Sequence, residues 1–149
     1  MALNFIKIAE NGTEFMKDLS KELGYPEDTK RAGRVLKSIL HALRNQLTVE
    51  ESVQLLSQLP LFLKGVYVES WTLHKTAKKP KNFDEFYHEI RKIDKQANLY
   101  DFKTDDDIDN AISVVFMSLR RYVSLGELED IKAILPKELK LMLNSVLMV

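Results

Sequence analysis

Three histidines, His41, His74 and His88, are the side chains of this sequence whose ordinary titration falls nearest neutral pH, and there is no cysteine to act as a nucleophile. His41 has the richest surroundings. Arg34, Lys37 and Arg44 lie one to two helical turns from it, so a helix through this stretch carries a cationic stripe able to hold an anion or assist a proton transfer. Acid–base catalysis also needs partners converging from elsewhere in the fold, which linear spacing does not supply, and the plainer reading is a solvated helix face. His74 and His88 stand apart, with no His-x-x-x-His pair to clasp a metal ion from one helix face.

Two runs of charge invite chemistry as well. Lys75, Lys78, Lys79 and Lys81 surround Pro80 close to Tyr67 and Trp71, and lysines beside aromatic rings can grip a phosphate. In a chain with 22 basic and 22 acidic residues, the plainer reading is an exposed linker. Asp105, Asp106, Asp107 and Asp109 gather where a helix begins; a calcium loop would need a glycine at its turn, and none is present, so helix capping is expected. The five glycines, at 12, 24, 33, 65 and 126, are too scattered for a phosphate loop, and nucleophile-elbow and kinase motifs are absent. The expectation is a protein with no catalytic motif, metal or cofactor.

The elements that must position these residues read as helices throughout. Phe5, Ile8, Ala9, Phe15, Leu19 and Leu23 recur at helical spacing, with Gly12 a weak spot and Gly24-Tyr-Pro26 the stop. Asp28 opens a second helix whose stripe is Ala32, Val35, Leu36, Ile39, Leu40, Leu43 and Leu47, with Ser38 and His41 opposite. Thr48-Val-Glu-Glu51 has the form of a capping box for a third, and Leu59-Pro60 ends it and starts a fourth, Leu61 to about Trp71. After a basic linker, 72–82, a stripe resumes from Phe83 to Ala97. A polar linker from Asn98 to Asp107 follows, then a helix from Ile108 to Val123, a second capping-box form at Ser124-Leu-Gly-Glu127, a second break at Leu135-Pro136, and a last helix from Lys137 to about Val146.

Laying 31–67 over 107–143, a shift of 76, matches Leu43, Arg44, Glu51, Leu59, Pro60, Leu63 and Lys64 with identical residues, where average composition predicts about two or three matches by chance. Stripe, box and Leu-Pro break fall in register together. The expected fold is therefore all-α: a compact bundle of about eight helices in one domain, 1–149, built from two repeated four-helix units, about 3–71 and 83–147. Where the first unit shows Ser38 and His41 the second shows Val114 and Met117, which predicts that the later helix is buried on two sides and lies centrally.

Charge balances in both halves, so no basic field exists to gather nucleic acid, which is not expected as a partner. The absence of cysteine suits a reducing cytoplasm, Lys7 and Glu10 interrupt the N-terminus too early for a signal peptide, and the most apolar windows, 59–68 and 139–149, are too short for a bilayer. A cytoplasmic, soluble protein without a membrane span is expected.

Four stretches carry a family resemblance: Asn4-Phe5 through Phe15-Met-Lys-Asp-Leu19 to Glu22-Leu-Gly-Tyr-Pro26; Arg31-Ala-Gly-Arg-Val-Leu36 with Leu40-His-Ala-Leu-Arg44; Gln58-Leu-Pro-Leu-Phe-Leu-Lys-Gly65 with Tyr67 and Trp71; and Gly126-Glu-Leu-Glu-Asp130 with Leu135-Pro-Lys-Glu-Leu139. Together the chain resembles a bacterial family of uncharacterised proteins, the "domain of unknown function" family numbered 2267. Ser70 departs from the glycine that the family often has before the tryptophan. The resemblance implies a duplicated all-helical fold and supplies no catalytic residues. Two functional expectations follow. The first is a helical interaction module that self-associates as a homodimer or binds a protein partner through Val114, Met117, Leu143, Val146 and Leu147, with Tyr67 and Trp71. The alternative is a small-ligand or phosphate site at Arg34, His41 and Arg44 or at Lys75, Lys78, Lys79 and Lys81.

Overall fold

The computed structural model describes residues 3–73, 80 and 82–147, with side chains as far as Asn144. His74 and Lys75, Lys78, Lys79 and Lys81 lie outside the described residues, as do the side chains of Val146 and Leu147. In chain order the helices are α1 (Phe5–Leu23), α2 (Thr29–Gln46), α3 (Val49–Leu56), α4 (Leu61–Val68), α5 (Phe83–Asp94), a 3-10 turn (Lys95–Ala97), α6 (Asn98–Asp101), α7 (Asp105–Leu119), α8 (Leu125–Ala133) and α9 (Lys137–Leu147). Among the described residues there is no strand, and no helix is long and apolar enough to cross a membrane.

Local chemistry sets most of the boundaries. The Asn4 side chain accepts from Lys7 N–H, and α1 runs through Gly12 to Gly24, whose φ of +104° lets Gly24 and Tyr25 N–H close on Lys21 and Ser20 C=O. Asp28 caps α2, and Thr48 with Glu51 forms both arms of the capping box on α3. The polar linker before α7 is shorter than its composition suggests. Lys95 to Asp101 coils into two short turns, and a second complete box, Thr104 with Asp107, starts α7 at Asp105 instead of Ile108. At Ser124 only one arm of the expected box forms: the hydroxyl accepts from Glu127 N–H, while Ser124 N–H donates to Gln58 Oε1 at 2.7 Å, a link between the halves of the chain. Helix α4 ends at Val68 and not at Trp71, because Glu69 is extended and Ser70 turns left-handed.

The central helix is α2, which packs against α1, α4, α5 and α7. Besides its apolar stripe it buries Ser38, His41, Arg44 and Gln46. This corrects the placement predicted for α7: Val114 is half-buried and Met117 is 44% exposed, while the helix with the more polar pattern is the one enclosed. Burial of Ser38 and His41 is tolerated because each has a backbone partner, the Ser38 hydroxyl donating to Arg34 C=O and His41 lying 2.8 Å from Val66 C=O.

Helices α2, α3 and α4 start at 29, 49 and 61, and α7, α8 and α9 at 105, 125 and 137, each 76 residues later. The leading helices do not keep that relation: α1 packs on α2, α4 and α7, whereas α5 packs chiefly on α2, so both halves feed one continuous core. Within it, the wholly buried Tyr67 hydroxyl shares a hydrogen bond of 2.7 Å with Ser52, and the positions 76 later hold the wholly buried Leu143 and Leu128. At these two positions one half thus joins its third and fourth helices by a polar pair and the other by two leucines, its α8 and α9 being bonded elsewhere, from Lys132 Nζ to Asn144 Oδ1. Tyr67→Phe strands the Ser52 hydroxyl in the core and is expected to lower stability by about 1–2 kcal/mol. Urea unfolding of Tyr67→Phe, Ser52→Ala and the double variant checks this, with the double variant losing less than the sum of the singles.

Candidate functional site

A cavity of about 430 Å³ opens between the polar side of α2, the residue that follows α4 in left-handed conformation, Ser70, and the end of α5. From α2 it takes Arg34, Lys37, His41 and Arg44; from the end of α5, Lys92, Asp94 and Lys95.

Arg44 is 8% exposed, and one of its terminal nitrogens donates to Tyr67 C=O at 2.7 Å and Glu69 C=O at 2.9 Å, with its guanidinium 5.6 Å from the centre of the Trp71 ring. Its Nε is buried without a partner, and burial pushes its pKa down from the ordinary arginine value. His41, buried beside it, has Nε2 against Val66 C=O; a carbonyl only accepts, so Nε2 carries the proton. Burial also holds the His41 pKa below the usual imidazole value, leaving the ring neutral at physiological pH. The two side chains satisfy the carbonyls at the negative end of α4, which is why polar residues belong on this side of α2.

On the other side Arg34 grips the fully buried Asp101 carboxylate with two bonds of 2.8 Å, and Arg31, its guanidinium 4.0 Å over the Tyr25 ring, donates to the Asp101 backbone C=O. The carboxylate in turn holds the Arg34 pKa above its ordinary value. Next to Asp101 lies Asp94, 9% exposed, with its Oδ2 buried and unpartnered. Burial first, then the adjoining carboxyl group of Asp101, raise the Asp94 pKa to about 7. Lys37 pairs with Glu69 at 2.8 Å on the surface. Among the described residues Lys92 and Lys95 have no carboxylate within ion-pair distance. The backbone is strained on both flanks of the cavity, Ser70 at φ +57° and Lys95 at φ +60°.

The expected trio Arg34, His41 and Arg44 is therefore brought together, but in a walled recess and not on an open, solvated face. The reason is that α2 is central, so its polar side must face the ends of other elements. Lys37, part of the same cationic stripe, joins the trio, while Lys92, Asp94 and Lys95 come from outside it; the sequence signal of the two lysines is only their place in and just after the last turn of a helix, common at any C-terminus. The proposed interaction surface fares differently. Tyr67 and Leu143 are fully buried core residues, Trp71 is half-buried with its ring edge-on to Tyr67, and Met117 alone of the residues described in side chain is exposed. His88, exposed on α5, lines a second recess of about 640 Å³ with Glu85 and Glu89. The expectation that no Glu-x-x-His spacing occurs is corrected by Glu85-x-x-His88, although among the described residues no three ligands gather that could hold a metal ion. The aspartate run does cap α7, with Asp105 also paired to Arg91 at 3.0 Å and Asp109 accepting from the Tyr87 hydroxyl.

Residues 12–142 match the family described as Uncharacterized conserved protein (DUF2267). The chain belongs to that family. All residues of the DUF2267 cavity fall inside the matched span, and no curated protein matches the chain. The left-handed φ of Ser70 supplies a physical reason for a glycine at this position, since a side chain there costs about 1 kcal/mol or more. Ser70→Gly is expected to stabilise the protein by about 0.5–1 kcal/mol, net of the chain entropy that glycine adds to the unfolded state, as read by thermal unfolding. The elevated pKa of Asp94 gives a pH signature. Between the unfolded aspartate value of about 3.9 and the folded value of about 7 the native state binds the extra proton, so stability falls as pH rises through this window, by at most about 1.4 kcal/mol per pH unit. Asp94→Asn is expected to flatten that slope and to be more stable than wild type at pH 8, as measured by urea unfolding from pH 5 to 8.

Proposed function

We propose that this protein binds a small oxyanion, inorganic phosphate or a compact phosphate or carboxylate compound, in the cavity between α2 and the end of α5. The observation that carries the reading is a convergence of positive charge left over after all pairing. Arg34 is balanced by Asp101 and Lys37 by Glu69, but Arg44 spends its donors on neutral carbonyls, and among the described residues no carboxylate lies within ion-pair distance of Lys95 or of Lys92, whose charge Glu89 meets only from farther away. The one acid lining the cavity, Asp94, has its pKa raised to about 7, so at neutral pH it offsets less of that field than an ordinary aspartate would. A recess of about 430 Å³ suits a phosphate with a small substituent. Binding is favoured over catalysis because His41, the imidazole of the cavity, is neutral, fixed in one tautomer and fastened to the end of α4.

Calorimetric titration with phosphate and pyrophosphate at low ionic strength tests the reading. Saturable one-to-one binding that weakens at least tenfold in the Lys92→Glu/Lys95→Glu variant, and that falls with added salt, is the expected result. Heats no larger than those of sodium chloride at matched ionic strength would overturn it.

A further inference from the structure

A second recess uses none of these residues. Helices α1 and α4 and the start of α2 enclose a groove of about 650 Å³ whose floor is the buried core itself, Phe15, Leu36 and Leu63, with Ile8, Phe62 and Val66 as walls. It exists because α1 presents Ala9, Gly12 and Thr13 there: the Gly12 position has no side chain, and a Cβ at that point would stand 3.5 Å from Phe62.

The groove has two unlike ends. Helices α1 and α2 are joined by the tight turn 24–28 and run back beside one another, Met16 Cε lying 3.8 Å from where a Cβ on Gly33 would be. Lys17, Thr29 and Lys30 therefore share one end, and Phe5 and Val66 the other. The two lysines are the charged residues of the lining, and no carboxylate lines it. Asp28, next to Lys30, is occupied in capping Arg31 N–H at 3.0 Å. At the far end Phe5, the first residue of α1, is 69% exposed, an apolar side chain left in water. From Phe5 to Lys17 the rise along α1 is about 18 Å, close to the length of an extended dodecanoate.

We propose that this groove binds a single-chain anionic amphiphile, a fatty acid, with its carboxylate between Lys17 and Lys30 and its tail along Ala9 and Gly12 toward Phe5. Charge complementarity selects the head. The apolar floor selects the tail, since each methylene it removes from water adds to the affinity.

Calorimetry of the full chain with dodecanoate below its micelle concentration, with dodecyltrimethylammonium as the same tail on the opposite head and hexanoate as the same head on a short tail, tests the proposal. The expected result is one-to-one binding of dodecanoate at least tenfold tighter than either control. The exposed-residue variant Lys17→Glu/Lys30→Glu should weaken it at least tenfold, and Ala9→Trp should abolish it, with phosphate binding unchanged in both. Equal affinity for the two head groups, or no saturable binding, would overturn it. So would a wild-type dimer in sedimentation that Ala9→Trp dissociates, since the groove would then be a contact between copies. Failure of phosphate binding alone would leave it standing, because no residue is shared between the two sites.

Discussion

The constraint on which the structure turns is that its central helix is not apolar enough to be central. Helix α2 is surrounded by α1, α4, α5 and α7 yet buries Ser38, His41 and Arg44, and a buried polar group without a partner costs about 1–3 kcal/mol. Each of these side chains must therefore meet a specific partner, in its own helix or on a neighbour. Ser38 turns back on its own helix; His41 and Arg44 reach the last carbonyls of α4; Arg34, at the edge, holds Asp101 at the end of α6. Apolar packing alone would tolerate sliding of α4 along α2. The three carbonyls of Val66, Tyr67 and Glu69, each engaged by a named nitrogen, do not.

The cavity is a consequence of the same arrangement. Holding the end of α4 and the 94–101 turn against one face of α2 leaves a gap between the two attachments, and the side chains that border it are the ones that made them. The backbone accommodates this with non-glycine residues at positive φ on both flanks, Ser70 and Lys95, each costing about 1–3 kcal/mol. Charge follows geometry. A guanidinium that caps a helix through neutral carbonyls keeps its full charge, so Arg44 stabilises α4 and at the same time makes the recess positive, in a protein whose overall charge is zero.

Much of the helical framework was legible along the chain. The caps at Asp28, Thr48 and Ser124, the stop at Gly24 and the breaks at Pro60 and Pro136 are local chemistry, and local chemistry is readable from neighbours in sequence. The box at Thr104 is harder to read from the chain because its closing residue is aspartate and not glutamate, inside a run with the composition of a polar linker. In the cavity, Arg34, His41 and Arg44 were visible as a stripe, but their burial was not, since helical periodicity separates polar from apolar without saying whether the polar side meets water or another element.

Sequence by itself determined the helices, the family and the 76-residue spacing of helix starts, all set by contacts within a few residues or by direct similarity. Tertiary structure alone decided which helix is central. Val114 and Met117 looked like the more deeply buried counterparts of Ser38 and His41, and hydrophobicity would favour that ordering; the reverse holds because backbone carbonyls at the end of α4 can satisfy a buried imidazole and guanidinium, and they are brought there by residues 25 positions away. The same long-range pairing turned a stripe of positive residues into one wall of an open recess, with Lys92 and Lys95 supplied by the end of a helix whose sequence carries no sign of facing it.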